Sequence, residues 1–378
     1  MIKSMKNTVM PAPSSIKDYY YKKWDNFYCC YQSSYHNLGA AWPAFGGIHQ
    51  HITTDVIVVP YDAIKFKTEY SLHTLDEHLE HAKQSGMFVI IDKTVEHVHD
   101  DQDFAELYNN LKSHQLLDRC VVFDNTKDET MFEKYGVPHA YAPWYVWFYV
   151  FFKRLPKYVA SPEHQFLCLN NFDKPHRYAT IQMLHDKKYI KRTHWSYRQQ
   201  ISPNSQEKLS SIYPNIQAQK TLFETPHYID QPQQQFDQEQ NIETLHTNAL
   251  CTIVTETDYL YAHTQFATEK SWHSLFYGTI PVIVSCKGTV NLMREHGLDV
   301  FDDLLTHSYD EESDTVKRFD SIAKAIEQCA SWRNYNQIRN ITAARHLRNQ
   351  ILLTHDQHWI NEIDYSVGQF FTANKISI

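Results

Sequence analysis

The residues best suited to chemistry lie between Glu256 and Lys270. The apolar run 251–255 predicts a strand that leads into Glu256, and Thr268, Glu269 and Lys270 stand directly before a short helical pattern. Threonine is a preferred helix N-cap, and the start of a helix attracts anions through its unpaired N–H groups and its dipole. Lys270 adds a full positive charge, and a glutamate can accept hydrogen bonds from vicinal ribose hydroxyls. The segment therefore predicts a site for the ribose and phosphates of a nucleotide.

A second candidate segment lies upstream, where the apolar strand 166–169 leads to Asn170 and Asn171. Arg177 follows at the start of the next helical pattern, so we predict that it joins Lys270 in binding phosphate. Asn170 and Asn171 are turn formers by residue type, and Asn171 is also a candidate ligand contact. Glu256 contacts either the ligand or solvent in this interpretation.

The two segments resemble the donor-binding part of fucosyltransferase-type glycosyltransferases of the GT-B fold, a type that includes phage and bacterial transferases. The resemblance covers about residues 165 to 330. It implies an α/β fold with two Rossmann-like domains facing across a cleft, and inverting transfer of a sugar from a nucleotide sugar to an acceptor hydroxyl. It also implies that Arg177 faces the donor phosphates and that Glu269 binds the donor ribose or sugar. Thr268 belongs to the same donor-binding element.

The acceptor of such a transferase is a saccharide, a protein or a modified base in DNA, and the residues do not select among them. An acceptor hydroxyl needs a general base. Asp92 and Glu96 follow the apolar strand 87–91 in the first half of the chain. We predict Glu96 as the base, because Asp92, directly after the strand, is better placed to form a turn.

Two features near this strand could instead indicate a metal. His97 and His99 are close together, and Asp101 and Asp103 have the spacing of a metal-binding carboxylate pair. Acidic residues commonly stand in the first turn of a helix, however, and 23 histidines make a chance cluster easy. We therefore expect no metal ligands and no obligatory cofactor other than the nucleotide-sugar donor.

Short apolar strands alternate with helical patterns through most of the chain, which is typical of parallel sheets covered by helices. We predict an acceptor domain over 1–155, a nucleotide-sugar domain over 156–355, and a C-terminal helix over 356–378 that packs back on the first domain. Pro156 and Pro162 suggest a hinge over 155–163. The ligand is expected at the carboxyl ends of the strands.

Composition narrows the alternatives. The 378 residues include only nine glycines and no glycine-rich phosphate loop, which argues against nucleotide-sugar epimerases and other dinucleotide-binding enzymes. A net charge of −8 argues against general nucleic-acid binding. An odd number of cysteines, seven, without CxxC spacing, and the lack of a signal-peptide or membrane-spanning pattern, favour a cytoplasmic protein. The alternative function is a catalytically silent module of the same fold that binds a nucleotide sugar or glycan.

Overall fold

The computed structural model describes residues 20–24, 27–30, 55–61, 64, 73–93, 101–127, 129–141, 155–197, 200–214, 227, 242–260, 265, 267–355 and 358–359. The chain divides into two compact units. The first contains Met1–Asn125, Glu129–Trp144 and Ile360–Ile378, and the second contains Thr126–Asp128 and Tyr145–Trp359.

The first unit contains a six-stranded sheet in the order β1-β2-β3-β4-β5-β6. The strands are β1 (Tyr20–Trp24), β2 (Phe27–Cys30), β3 (Val56–Pro60), β4 (Phe88–Lys93), β5 (Cys120–Asp124) and β6 (His139–Tyr141). The helices are α1 (Leu75–Ser85), α2 (Asp101–Ser113) and α3 (Thr130–Tyr135). β1 and β2 are antiparallel, and all the other neighbours are parallel.

The helices of the first unit pack on alternate residues of its strands. Ile57, Val89 and Val122 are fully buried in one cluster with Leu79 of α1 and Leu107 of α2. Every residue of β4 and β5 is buried, so both faces of these strands are covered, as is usual for central parallel strands. The first turn of α1 is closed by a capping box between Thr74 and Glu77.

The second unit contains a four-stranded parallel sheet in the order β10-β9-β7-β8. Its strands are β7 (His164–Cys168), β8 (Thr193–Trp195), β9 (Ala249–Thr255) and β10 (Ile280–Val284). Its helices are α4 (Pro175–Asp186), α5 (Pro203–Glu207), α6 (Glu269–Phe276), α7 (Thr289–Glu295), α8 (Thr315–Ser331) and α9 (Tyr335–Leu353). The predicted α/β class is confirmed: the second sheet is parallel throughout, and the first is parallel except for the β1–β2 pair.

The chain leaves β7 toward β8 on one side and later returns to β9 on its other side. The connections therefore diverge between β7 and β9, which makes their carboxyl ends the topological switch point of the sheet. Ligands of open α/β sheets bind at this kind of position. α4 follows β7, and α6 follows β9, so both helices begin near this edge.

Three sequence expectations need correction or lie outside the described residues. Asp92 is part of β4, paired in register with Pro60 and Phe123, and does not form a turn after the strand. The segment 155–163 belongs to the second unit: the amide of Lys157 donates to Glu243 (2.9 Å), and the Tyr158 hydroxyl donates to the side chain of Asn340 (3.2 Å). The predicted C-terminal helix falls mostly on 360–378, which are not described.

The last described residue, Trp359, is fully buried within the second unit. Its ring meets that of Trp272 edge to face at 6.2 Å, and its indole N–H donates to the carbonyl of Leu352 (3.0 Å). No helix among the described residues is long and apolar enough to span a membrane. Five cysteines are buried free thiols: Cys120, Cys168, Cys251, Cys286 and Cys329.

Candidate functional site

The switch point of the second unit is built around the buried carboxylate of Glu256. Glu256 follows β9 directly and is 0% exposed. Its Oε1 accepts from the amide of Thr268 (3.0 Å) and from the Ser271 hydroxyl. Its Oε2 accepts from the Thr268 hydroxyl (2.6 Å) and from the amide of Thr257 (3.2 Å). The carboxylate thus fastens the end of β9 to the start of α6.

This arrangement corrects two of the sequence predictions. Glu256 contacts neither solvent nor an open site, because both of its oxygens already accept two hydrogen bonds inside the unit. Thr268 is the N-cap of α6, as predicted, and its hydroxyl accepts from the amide of Lys270 (3.3 Å). Thr268 is also fully buried, so it contributes to a site by holding α6 in place and not by contacting a ligand.

At the start of α6, side chains are more available to a ligand than backbone amides are. The amide of Thr268 is bonded to Glu256, and the amides of Lys270 and Ser271 are bonded to Thr268. The expectation that these N–H groups are open to phosphate is therefore wrong, because a carboxylate and a hydroxyl of the chain itself take up the amides first.

Lys270 and Glu269 are the partly exposed charged residues at this helix start. Their side chains are 28% and 32% exposed, and Nζ of Lys270 lies 3.1 Å from Oε1 of Glu269. Nζ also donates to the hydroxyl of Thr268 (3.1 Å). Burial raises the pKa of Glu269, but Lys270, His273 and a backbone hydrogen bond together outweigh burial, and the pKa lies below its ordinary value. The site therefore presents an ammonium group beside an ionised carboxylate.

Arg177 lies beneath the surface of the same edge. It is in the first turn of α4, is 2% exposed, and donates to the carbonyls of Phe172 and Glu256 (3.2 Å each). The structure thus brings Arg177 to the switch point, as the sequence suggested, but not to an open surface. Its guanidinium joins the start of α4 to the end of β9 and contributes positive charge from below.

The pKa of His176 reflects the burial and the charges of this region. Its Nε2 donates to the carbonyl of Glu256 (2.8 Å), and its ring stacks on Tyr259 at 5.7 Å. Burial lowers the pKa of His176 well below its ordinary value; Arg177, Lys174 and Lys270 lower it further, against the effect of the Glu256 carbonyl. Three cations thus act on one buried, neutral imidazole, so the switch point combines positive charge with low solvation.

The two asparagines after β7 separate into a structural and an exposed residue. Asn170 is 2% exposed; its side chain accepts from the hydroxyl of Thr255 (2.6 Å) and donates to the carbonyl of Ser196 (3.2 Å). It ties the ends of three strands together. Asn171 is exposed at the same edge, next to Phe172, which is 55% exposed. Asn171 can therefore reach a ligand that Asn170 cannot.

The first unit contains the candidates for the general base. Asp92 lies at the carboxyl end of β4 and is 9% exposed. Glu96, His97 and His99 lie outside the described residues. Asp101 and Asp103 are in the first turn of α2, the position that acidic residues favour for the helix dipole.

Sequence reasoning missed three contributors to the site: Ser271, Thr257 and Lys174. The hydroxyl of Ser271 and the amide of Thr257 donate to the carboxylate of Glu256. Lys174 is the residue directly before α4, and its side chain does not cap that helix. A signal for Ser271 was present, because it lies three residues after the N-cap Thr268 and so within the same helical turn. No local signal marks Glu256 as their common partner.

No known protein family and no curated protein matches this chain. Among solved structures, the chain is similar to the DNA modifying enzyme β-glucosyltransferase, determined with and without uridine diphosphoglucose, at a TM-score of 0.37 and 7% identity, covering 85% of this chain and 80% of that one.

It is also similar to the T4 phage enzyme with UDP-glucose, at a TM-score of 0.34 and 9% identity over 85% and 81% of the two chains. A third similar structure is the T4 phage enzyme with UDP and Mn²⁺, at a TM-score of 0.34 and 9% identity over 78% and 80%. The function proposed below rests on the residues of this chain and not on these likenesses.

Among the residues described, no group of three or more His, Cys, Asp or Glu side chains is arranged to hold a metal ion.

Proposed function

We propose that the protein is a glycosyltransferase whose second unit binds a nucleotide-sugar donor at the carboxyl ends of β7 and β9. The observation that carries this proposal is the meeting of two helix starts at the switch point, where Arg177 of α4 donates to the carbonyl of Glu256 and Lys270 of α6 is partly exposed. A diphosphate is the ligand group that this concentration of positive charge suits best.

Lys270 contacts the diphosphate in this proposal, because its ammonium is the part of the α6 start that a ligand can reach. The start of α4 lies beside it, and Arg177 acts through its field from below. Glu269 accepts hydrogen bonds from a ribose or sugar hydroxyl, and its lowered pKa keeps it an acceptor at neutral pH. Asn171 and the exposed ring of Phe172 lie on the same edge and are available to the nucleoside.

Transfer further requires a base for the acceptor hydroxyl. We propose Glu96 as this base and Asp92 as the second candidate, since Asp92 lies at the carboxyl end of β4 and Glu96 follows that strand in sequence. Donor binding by Lys270 and Arg177 is proposed to need no metal ion, and the transfer to be inverting. The acceptor is a saccharide, a protein or a modified DNA base, and the cytoplasm is the proposed compartment.

Replacing Lys270 by Ala tests the donor site. A charge-assisted contact is worth about 1.5–3 kcal/mol, so the affinity for a nucleoside diphosphate is expected to fall roughly 10–100-fold. The affinity for the nucleoside alone should hardly change, because it lacks the phosphates. Calorimetric titration of the full chain with both ligands measures the two effects.

Lys187 provides the matched control. It follows α4 at the other end of that helix, and its ammonium pairs with Glu327 at 2.6 Å. Lys187→Ala removes the same charge from the same unit and should leave both affinities unchanged. If Lys270→Ala weakens the nucleoside and the diphosphate equally, or neither of them, Lys270 does not contact the phosphates.

A further inference from the structure

A cavity of about 310 Å³ lies at the opposite edge of the second unit, beside the residues that precede β9 and β10. Thr247 and Gly278 mark that edge, and α9 forms one wall. Most of its lining is apolar and comes from Leu155, Pro156, Tyr158, Val159, Ala343 and Leu347. The volume is at the lower end of the range of small-molecule sites.

Two buried polar side chains line this apolar cavity. Arg339 and His346 are 2% and 3% exposed and lie seven residues apart on α9, hence on one face. Nη2 of Arg339 donates to the carbonyls of Thr247 and Ala249 (2.8 Å each), whereas its Nε has no hydrogen-bond partner. Both ring nitrogens of His346 are likewise buried without a partner.

Arg339 is also a buried cation that no carboxylate of the described residues neutralises. Burial lowers its pKa to about 10, which leaves it charged at neutral pH. Buried charges in proteins are normally paired, because an isolated one is costly to desolvate. Burial, and then Arg339, lower the pKa of His346 to about 3, so its ring is neutral and offers one donor and one acceptor.

Gly278 leaves the space between these groups open. A Cβ at this position would lie 3.5 Å from Nη1 of Arg339, 3.6 Å from Nε2 of Gln350 and 3.7 Å from Cβ of His346. Its φ of +76° also favours glycine.

We propose that this cavity binds a small organic anion, with its anionic group against Arg339 and His346 and an apolar body against Leu155, Tyr158 and Leu347. The anion supplies the counter-charge that no carboxylate of the described residues gives to Arg339. The site is separate from the candidate donor site, which lies at the other ends of the same strands, and it does not depend on the proposed transferase activity.

Three probes of similar shape test the proposal on the full chain: benzoate, phenyl phosphate and the neutral benzamide. At least one anion is expected to bind about tenfold or more tightly than benzamide in ligand-observed NMR titrations, since it gains a charge-assisted contact. Benzoate and phenyl phosphate distinguish a carboxylate from a phosphate ligand. Equal binding of benzamide and both anions, or binding of none, would overturn the proposal.

Filling the cavity with a larger side chain tests whether the anion binds there. Ala343→Phe places a ring in the cavity and should weaken the bound anion about tenfold or more, while Ile341→Phe, on an exposed position of the same helix, should not. Nucleoside diphosphate should bind both variants alike and should not displace the anion. Undiminished anion binding by a folded Ala343→Phe protein would show that the anion binds elsewhere.

Discussion

Turnover is expected to fall by roughly 10²–10⁴-fold when Glu96 is replaced by Gln, while affinity for the donor stays the same. Glutamine keeps the size and most of the hydrogen bonding of glutamate but cannot take a proton from the acceptor hydroxyl. Donor affinity should hold, because the proposed donor contacts are in the second unit. Transfer rates at saturating donor, together with a donor titration, separate these effects.

Two further variants test whether the loss of turnover is specific to Glu96. Asp92→Asn addresses the second candidate, whose side chain is nearly buried at the end of β4. Asp103→Asn, in the first turn of α2, removes a carboxylate of no proposed catalytic role. If Glu96→Gln keeps near-normal turnover, Glu96 is not the general base. If only Asp92→Asn loses most of its turnover, Asp92 is the base.

Glu256→Ala is expected to destabilise the second unit by at least about 3 kcal/mol. The substitution leaves the amide and hydroxyl of Thr268 and the hydroxyl of Ser271 without their acceptor, and each buried donor left unpaired costs about 1–3 kcal/mol. The N-cap would lose the side chain that holds it to β9. Chemical denaturation followed by a probe in this unit, such as Trp272 fluorescence, measures the loss.

Glu327→Ala is the matched control for this substitution. Glu327 is 40% exposed and pairs with Lys187, and a surface ion pair of this kind contributes about 0–1 kcal/mol. If Glu256→Ala is no more destabilising than Glu327→Ala, the carboxylate does not organise the start of α6. Because Glu256 is proposed to position other residues, a folded Glu256→Ala protein should also bind donor more weakly.

Much of the fold could be predicted because its strands are short apolar runs and its helices have clear starts. β4, β7 and β9 were predicted to within about two residues at each end, and Thr268 was identified as an N-cap from residue type alone. The error at Asp92 has a physical cause. Pairing with Pro60 on one side and Phe123 on the other extends β4 past its apolar run, and neighbouring strands are not visible in a local pattern.

The candidate site was harder to predict in detail than in position. Arg177, Glu256 and Lys270 were correctly expected at strand ends and helix starts, which the topology brings to one edge. Their exposure could not be predicted, because burial of Arg177 depends on carbonyls five and 79 residues away in sequence. Two of the partners of Glu256, Thr268 and Ser271, are likewise 12 and 15 residues distant in sequence.

The proposed metal-independent donor site can be tested directly by calorimetry. The full chain is titrated with nucleoside diphosphates, UDP-glucose and GDP-fucose in the presence of a chelator. We expect that at least one nucleotide sugar binds, that its nucleoside diphosphate competes with it, and that Lys270→Ala weakens both by roughly 10–100-fold. Absence of binding by every nucleotide, or binding that requires Mn²⁺ or Mg²⁺ and is unaffected by Lys270→Ala, would contradict it.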